Sequence, residues 1–267
     1  MPISYDSYEE LSVKREGRLL TITLNQPARR NTVNAVMHRE LARIFSDVAM
    51  DDEADVVVLT GAGDSFSAGG DIGWMQRLLE QPEGMAGIAV EGKRIVSSLL
   101  DLEKPLICRL NGDAIGLGAT LALFCDLVIA TDTAKIADPH VRVGLVAGDG
   151  GAVIWPQLIG YARAKEFLLT GDVIVAAEAA RIGLINRAVA AEELDAEVAK
   201  LAAKLLRGAQ YAIRWSKLSI NVGLKQLATA VFETSLGYEV AASLLPDHRE
   251  AVAAFGERRP PNFSRDS

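Results

Sequence analysis

Two glycine-rich loops hold the residues of this chain best suited to chemistry. The first reads Gly61-Ala62-Gly63-Asp64-Ser65-Phe66-Ser67-Ala68-Gly69-Gly70-Asp71, and the second Asn111-Gly112-Asp113-Ala114-Ile115-Gly116-Leu117-Gly118. Glycine permits positive φ and lets a ligand approach the backbone closely. Amides at a helix start have no intrahelical acceptor and carry partial positive charge. Two such loops on neighbouring strands could aim two N–H groups at one oxygen. That arrangement is an oxyanion hole, in which one donor contributes about 2.7–4 kcal/mol to a transition state. The same residues serve equally well as ordinary β–α turns. A dinucleotide fingerprint is not met, because Gly116-Leu117-Gly118-Ala119-Thr120-Leu121 lacks the third glycine and lies outside the first βαβ unit. Neither a Walker A loop nor a GxSxG elbow occurs. The three histidines, His38, His140 and His248, are far apart and form no HExxH or His/Cys pair, so no transition-metal site is expected.

The elements that must position these loops follow from hydrophobic period. Leu11–Arg15 and Leu19–Asn25 read as a hairpin about Glu16-Gly17-Arg18, since Leu20, Ile22 and Leu24 alternate with Thr21 and Thr23. Asn34 to Met50 has helical spacing. Val56–Leu59 is a β-branched run of the kind buried on both faces. Leu106–Leu110, Leu127–Ala130 and Lys135–Ala137 repeat the strand pattern. Helices are expected around Trp74, over Leu117–Phe124, near Ala152–Ile159 and over Ala176–Ile182, with short strands at Ile174 and Asn186–Val189. Alternating strands and helices imply an α/β fold with parallel pairing. From Ala191 to Gly256 the pattern is helical and strand-poor, suited either to a subunit interface or to a cap on its own core. The chain thus divides into a core, residues 1–190, and a helical region, residues 191–267.

Composition sets the class. With 49% hydrophobic residues in 267, the chain can bury a sizeable core. Its net charge of −7 disfavours nucleic acid. Cys108 and Cys125 are the only thiols and form no CxxC motif. No run reaches the roughly 20 apolar residues of a membrane span, and Met1–Glu10 has no signal-peptide core. The expectation is a soluble, cytoplasmic protein.

Phe66-Ser67-Ala68-Gly69-Gly70-Asp71 and the stretch from Asn111-Gly112 through Gly116-Leu117-Gly118 to Cys125-Asp126 resemble the enoyl-CoA hydratase/isomerase (crotonase) superfamily. Leu24-Asn25-Gln26-Pro27, Leu169-Thr170-Gly171, Gly183-Leu184-Ile185 and Phe255 to Pro260 extend the likeness over nearly the whole chain. The resemblance implies a spiral of ββα units, a C-terminal helical trimerisation region, and a homotrimer or dimer of trimers. It implies an acyl-CoA substrate, with coenzyme A entering as part of it and no tightly bound cofactor. It places the thioester oxygen between the amides of Gly70 and Leu117. Ala68, Asp71, Ile72, Gly116 and Gly118 fall in segments lining CoA or substrate, and Arg29 where a basic residue faces CoA phosphates or simply meets solvent.

The chain departs from the family where hydratases carry two glutamates, since those positions align with Thr120 and His140. Threonine is no general base near neutral pH, but its hydroxyl can hold water or substrate. Imidazole suits proton transfer. Asp149, nine residues on in Gly148-Asp149-Gly150-Gly151, could fix the His140 tautomer and stabilise its protonated form, or serve as a helix cap. This His…Gly-Asp-Gly pattern also resembles the β-diketone hydrolase branch typified by 6-oxocamphor hydrolase, which cleaves a carbon–carbon bond without CoA. His38 matches another histidine of that branch, although its helical position also suits packing; His248 is assigned no chemical role. The readings are therefore an acyl-CoA lyase, isomerase or hydrolase, a β-diketone hydrolase, and a CoA-binding homologue without catalysis.

Overall fold

The computed structural model describes residues 3–263. The first two residues, and residues 264–267 of the expected helical region, lie outside that range.

The hairpin forms as its alternation predicts. β1 (Leu11–Glu16) and β2 (Leu19–Leu24) pair antiparallel, burying Leu20, Ile22 and Leu24 completely. Helix α1 (Ala35–Ala49) starts where the Asn34 side chain accepts the amides of Val36 and Met37. Beyond its other end the buried Lys104 ammonium donates to the carbonyls of Val48 (2.5 Å) and Asp51 (2.6 Å), which places a cation at the helix C-terminus.

Three ββα units follow. The first is β3 (Val56–Gly61), β4 (Ser65–Ser67), α2 (Ile72–Glu80) and α3 (Gly84–Asp101). The second is β5 (Leu106–Leu110), β6 (Asp113–Ile115) and α4 (Leu117–Leu123). The third is β7 (Leu127–Thr131), β8 (Lys135–Ala137), a 3-10 turn over His140–Val143, and α5 (Gly151–Thr170). β9 (Ile174–Val175), α6 (Ala176–Ile182) and β10 (Arg187–Val189) close the core. Each unit gives one strand to each of two sheets, ordered β1-β2-β3-β5-β7-β10 and β4-β6-β8-β9, and successive units stack in parallel. This is the expected ββα spiral. β3 is buried at every position, as its β-branched run requires.

The sequence expectation departs from the structure in four places. β4 and β6 are three residues each, inside stretches that read as loops, because pairing with neighbouring strands and not local pattern makes them strands. Helix α3 begins with Gly84 and no side-chain cap; its buried stripe of Ile95, Val96, Leu99 and Leu100 is packed against α1 and the core. Helix α5 runs on to Thr170 past Gly160, whose φ of 77° interrupts it. β9 pairs antiparallel with β8 rather than in parallel.

After residue 190 come α7 (Leu194–Leu206), α8 (Gln210–Ser243) and α9 (Pro246–Gly256). α7 lays Leu194, Val198 and Ala202 on Val56, Val58, Ile107 and Ile129, covering one face of the larger sheet. α8 packs on α3 and α5, and α9 on α2, so these helices cap the chain's own core. Tyr211, Trp215, Ile220 and Val222 of α8 remain exposed. Among the described residues, no helix is long and apolar enough to cross a membrane. Cys108 and Cys125 are buried free thiols.

Candidate active site

Parallel pairing of β4 with β6 brings the two glycine loops side by side, with Ser65 opposite Asp113 and Ser67 opposite Ala114. The chains then converge: a methyl group on Gly69 would stand 2.9 Å from the Ile115 carbonyl oxygen. Gly116 adopts φ 55°, ψ −123°, a conformation essentially reserved for glycine. Gly118 has a different role from the ligand contact expected of it. It is buried inside α4, where a side chain would strike Ser67 Cβ at 2.7 Å; it permits loop packing and does not line the cavity.

Among the described residues, the amides of Gly70 and Leu117 have no protein acceptor. Val33 donates to the Gly69 carbonyl (2.8 Å) and accepts from the Asp71 amide (2.9 Å). In a parallel bridge the residue between those two groups turns its own N–H to the other side, and that residue is Gly70. Leu117 is the first residue of α4, so its amide has no intrahelical acceptor, whereas the preceding Gly116 amide is taken by Ala137 (2.9 Å). Both Gly70 and Leu117 border a cavity of about 640 Å³, as do Ala68, Asp71, Ile72, Gly116 and Arg29. Asp71 also caps α2 by accepting the Trp74 amide at 2.8 Å. The Arg29 guanidinium is engaged with Glu10 (3.2 Å) and Gln26 (3.3 Å). Trp74, Leu78, Met85 and Ile88 supply apolar wall.

Across the same cavity lie His140, Asp149 and Glu239. His140 Nδ1 donates to Asp138 Oδ1 in a short hydrogen bond, and its Nε2 lies 3.6 Å from Asp149 Oδ2. The carboxylate that fixes the ring is thus Asp138, two residues away, and Asp149 faces the opposite nitrogen. This corrects the expectation that Asp149 is the orienting partner. Thr120 is also corrected: it is fully buried and does not border the cavity, so it cannot hold water or substrate there. Its hydroxyl donates to Asp149 Oδ1 at 3.1 Å and so positions that carboxylate.

Electrostatics bind this group together. Burial disfavours the His140 cation, but the charges of Asp138 and Asp149 outweigh it and hold the imidazole pKa well above 6.5. Burial raises Asp149 above its ordinary value despite the opposing imidazolium. Burial likewise pushes Glu239 to about 8, so its carboxyl is protonated at neutral pH. Asp138, His140 and Asp149 each offer an atom within 4.8 Å of the others, a spacing that could hold a metal. With the imidazolium between them, however, the two carboxylates already have a cation.

Neither Asp138 nor Glu239 was singled out from sequence. Asp138 had a signal in its nearness to His140. Glu239 sits on α8, nearly a hundred residues on, and nothing local marks it. His248, which the sequence left without a role, borders the cavity and donates through Nδ1 to Val143 O (2.7 Å).

A crotonyl-CoA hydratase of Syntrophomonas wolfei is 36% identical over 261 residues, covering 96% of this chain and 98% of that protein. Among solved structures, an enoyl-CoA hydratase/isomerase from Mycobacterium paratuberculosis superposes with a TM-score of 0.90 at 37% identity, covering 93% of this chain and 99% of the other. A β-diketone hydrolase from the cyanobacterium Anabaena, bound to (S)-3-oxocyclohexyl acetic acid, superposes with a TM-score of 0.85 at 26% identity, covering 91% and 98%. The model of the enoyl-CoA hydratase/isomerase family matches residues 14–266, and the chain belongs to that family.

Proposed function

We propose that the protein moves protons at the carbon next to an acyl-CoA carbonyl, through an enolate held by the amides of Gly70 and Leu117. The observation that carries this reading is that two unpartnered amides and the His140–Asp149 pair border one cavity. As the α-proton leaves, the C–H electron pair passes into the carbonyl and its oxygen becomes the oxyanion. Two preorganised donors stabilise that charge without reorganisation. In hydration, water adds to the β carbon and gives its proton to Asp149, while the His140 imidazolium returns one to the α carbon. The Asp149 proton then passes to His140, restoring the pair. In isomerisation the proton taken from one carbon is delivered to another. Burial makes Asp149 a stronger base than an exposed aspartate. Asp138 holds the His140 tautomer, and Thr120 holds Asp149.

Ala68, Asp71, Ile72 and Gly116 line the path of the CoA thioester in this reading, with Arg29 near its phosphates. The exposed Tyr211, Trp215, Ile220 and Val222 support a homotrimer or dimer of trimers built on α8. The soluble, cytoplasmic setting expected from sequence accords with such a substrate. Turnover of a panel of enoyl- and acyl-CoA esters tests the reading. It is expected in the wild type and strongly reduced in His140→Ala and Asp149→Asn; unchanged rates in both variants would overturn the assignment of the pair.

Cleavage of a β-diketone without CoA is the second reading, favoured by the buried imidazole–carboxylate pair and the likeness to the Anabaena hydrolase. It requires diketone turnover and no rise in melting temperature on adding CoA. A homologue without catalysis would show the CoA-induced rise and no turnover of either substrate class.

A further inference from the structure

The cavity has another imidazole on its wall, which the proton transfers above do not use. His38 lies on α1 and is only 4% exposed. Its Nδ1 is 2.6 Å from Glu91 Oε2 of α3, and its ring leans on Trp74 of α2, with centroids 5.4 Å apart at 53°. Three separate elements therefore fix this ring. A carboxylate only accepts, so the proton of this contact belongs to Nδ1. Nε2 has no protein hydrogen bond among the described residues, and the ring borders the cavity, whose wall also includes apolar Leu78, Met85, Ile88 and Ala89. That nitrogen opens to the cavity, where water can reach it; once an acyl chain displaces the water, a polar nitrogen left without a partner is unfavourable. An all-hydrocarbon acyl chain gives it nothing to bond.

We propose that His38 Nε2 recognises a hydroxyl group on the acyl part of the substrate, away from the thioester. A hydroxyl suits the imidazole in both charge states, since it can donate to neutral Nε2 or accept from its N–H when protonated. A keto or ether oxygen can do only the second. His38 thus sets specificity within the acyl-CoA reading, on which this inference rests, and takes no part in proton transfer. A site built to bond a hydroxyl discriminates against the analogue lacking it, because its own polar group is then left unpaired.

The test compares hexenoyl-CoA with isomeric hydroxyhexenoyl-CoA esters whose hydroxyl is moved along the chain. At least one isomer is expected to exceed hexenoyl-CoA in kcat/KM by about tenfold or more in the wild type. His38→Phe keeps a flat ring beside Trp74 and removes the nitrogen. A His38→Phe, Glu91→Gln double variant also avoids leaving a carboxylate unpaired. Both should lose that preference, so that kcat/KM for the favoured hydroxylated ester falls to that of hexenoyl-CoA, and cooperative thermal unfolding shows that they fold. Absence of preference for any hydroxylated isomer in the wild type would overturn the proposal, as would an equal loss on all esters in both variants. Failure of the wild type to turn over any CoA ester would instead overturn the acyl-CoA reading itself.

Discussion

The two sides of the cavity are built on different principles. One is backbone: Gly70 and Leu117 offer amides whose direction is set by a parallel bridge and a helix start, so no polar side chain is required of either. The other is side chain: Asp138, His140, Asp149 and Glu239 come from three regions of the chain and depend on one another's charge. The backbone side depends on glycines that hold the loops together, and fails when that geometry changes. The side-chain side depends on which residues stand at a few positions, and in the proposed reading exchanging them would alter the proton chemistry without moving the two amides.

The largest effect should come from the side-chain half. His140→Ala is expected to lower kcat by about a thousandfold, within the range for losing a positioned acid or base; steady-state turnover of the most active CoA ester measures this. A loss comparable to that of a surface variant would remove His140 from the chemistry.

The backbone half makes a sharper prediction. Proline is tolerated at the first position of a helix and removes only an amide that has no helical partner there. Leu117→Pro should therefore cost about 100- to 1000-fold in kcat, the typical loss of one oxyanion donor. Leu117→Ala keeps the amide and should retain most activity. Equal rates in the two variants would break the distinction between backbone and side chain.

Asp138→Asn tests positioning. Removing a charge that raises the His140 pKa should move the imidazole's titration to lower pH, and a loosened ring should cost up to about a hundredfold in kcat. A pH–rate profile separates the two effects, because a merely structural role would lower the rate without moving the profile.

The smallest effect is on stability. Between 4.5 and about 8 the native protein holds a proton on Glu239 that the unfolded chain has released. Stability from this group accordingly falls as pH rises through that window. Glu239→Gln has no such titration, so its melting temperature should decline less than the wild type's from about pH 4.5 to about pH 8. Parallel declines would place the Glu239 pKa near its ordinary value.

The same contrast explains what was legible in the sequence. Strands such as Leu106–Leu110 and the buried run from Val56 announce themselves by local composition, as do the loops bearing Gly70 and Leu117. β4 and β6 do not, because segments of three residues become strands only through pairing with their neighbours. Helix α3 escaped because Gly84 and Gly87 weaken its start, and its identity comes from packing. His140 and Asp149 were visible as chemistry in loops, but their geometry was not: Asp138 takes the orienting role, and Thr120 acts through Asp149. Glu239 reaches the cavity only because α8 folds back across the core.

The central claim is that the two halves act on one enolate, the amides at its oxygen and the side chains at its α carbon. Proton NMR of a saturated acyl-CoA in deuterium oxide measures it directly, since exchange of the α-hydrogens needs enolate formation but no water addition. The account predicts enzyme-dependent loss of the α-proton signal in the wild type, abolished by either His140→Ala or Leu117→Pro. Exchange that persists in both variants, or that never occurs in a wild type active on enoyl-CoA, would contradict it.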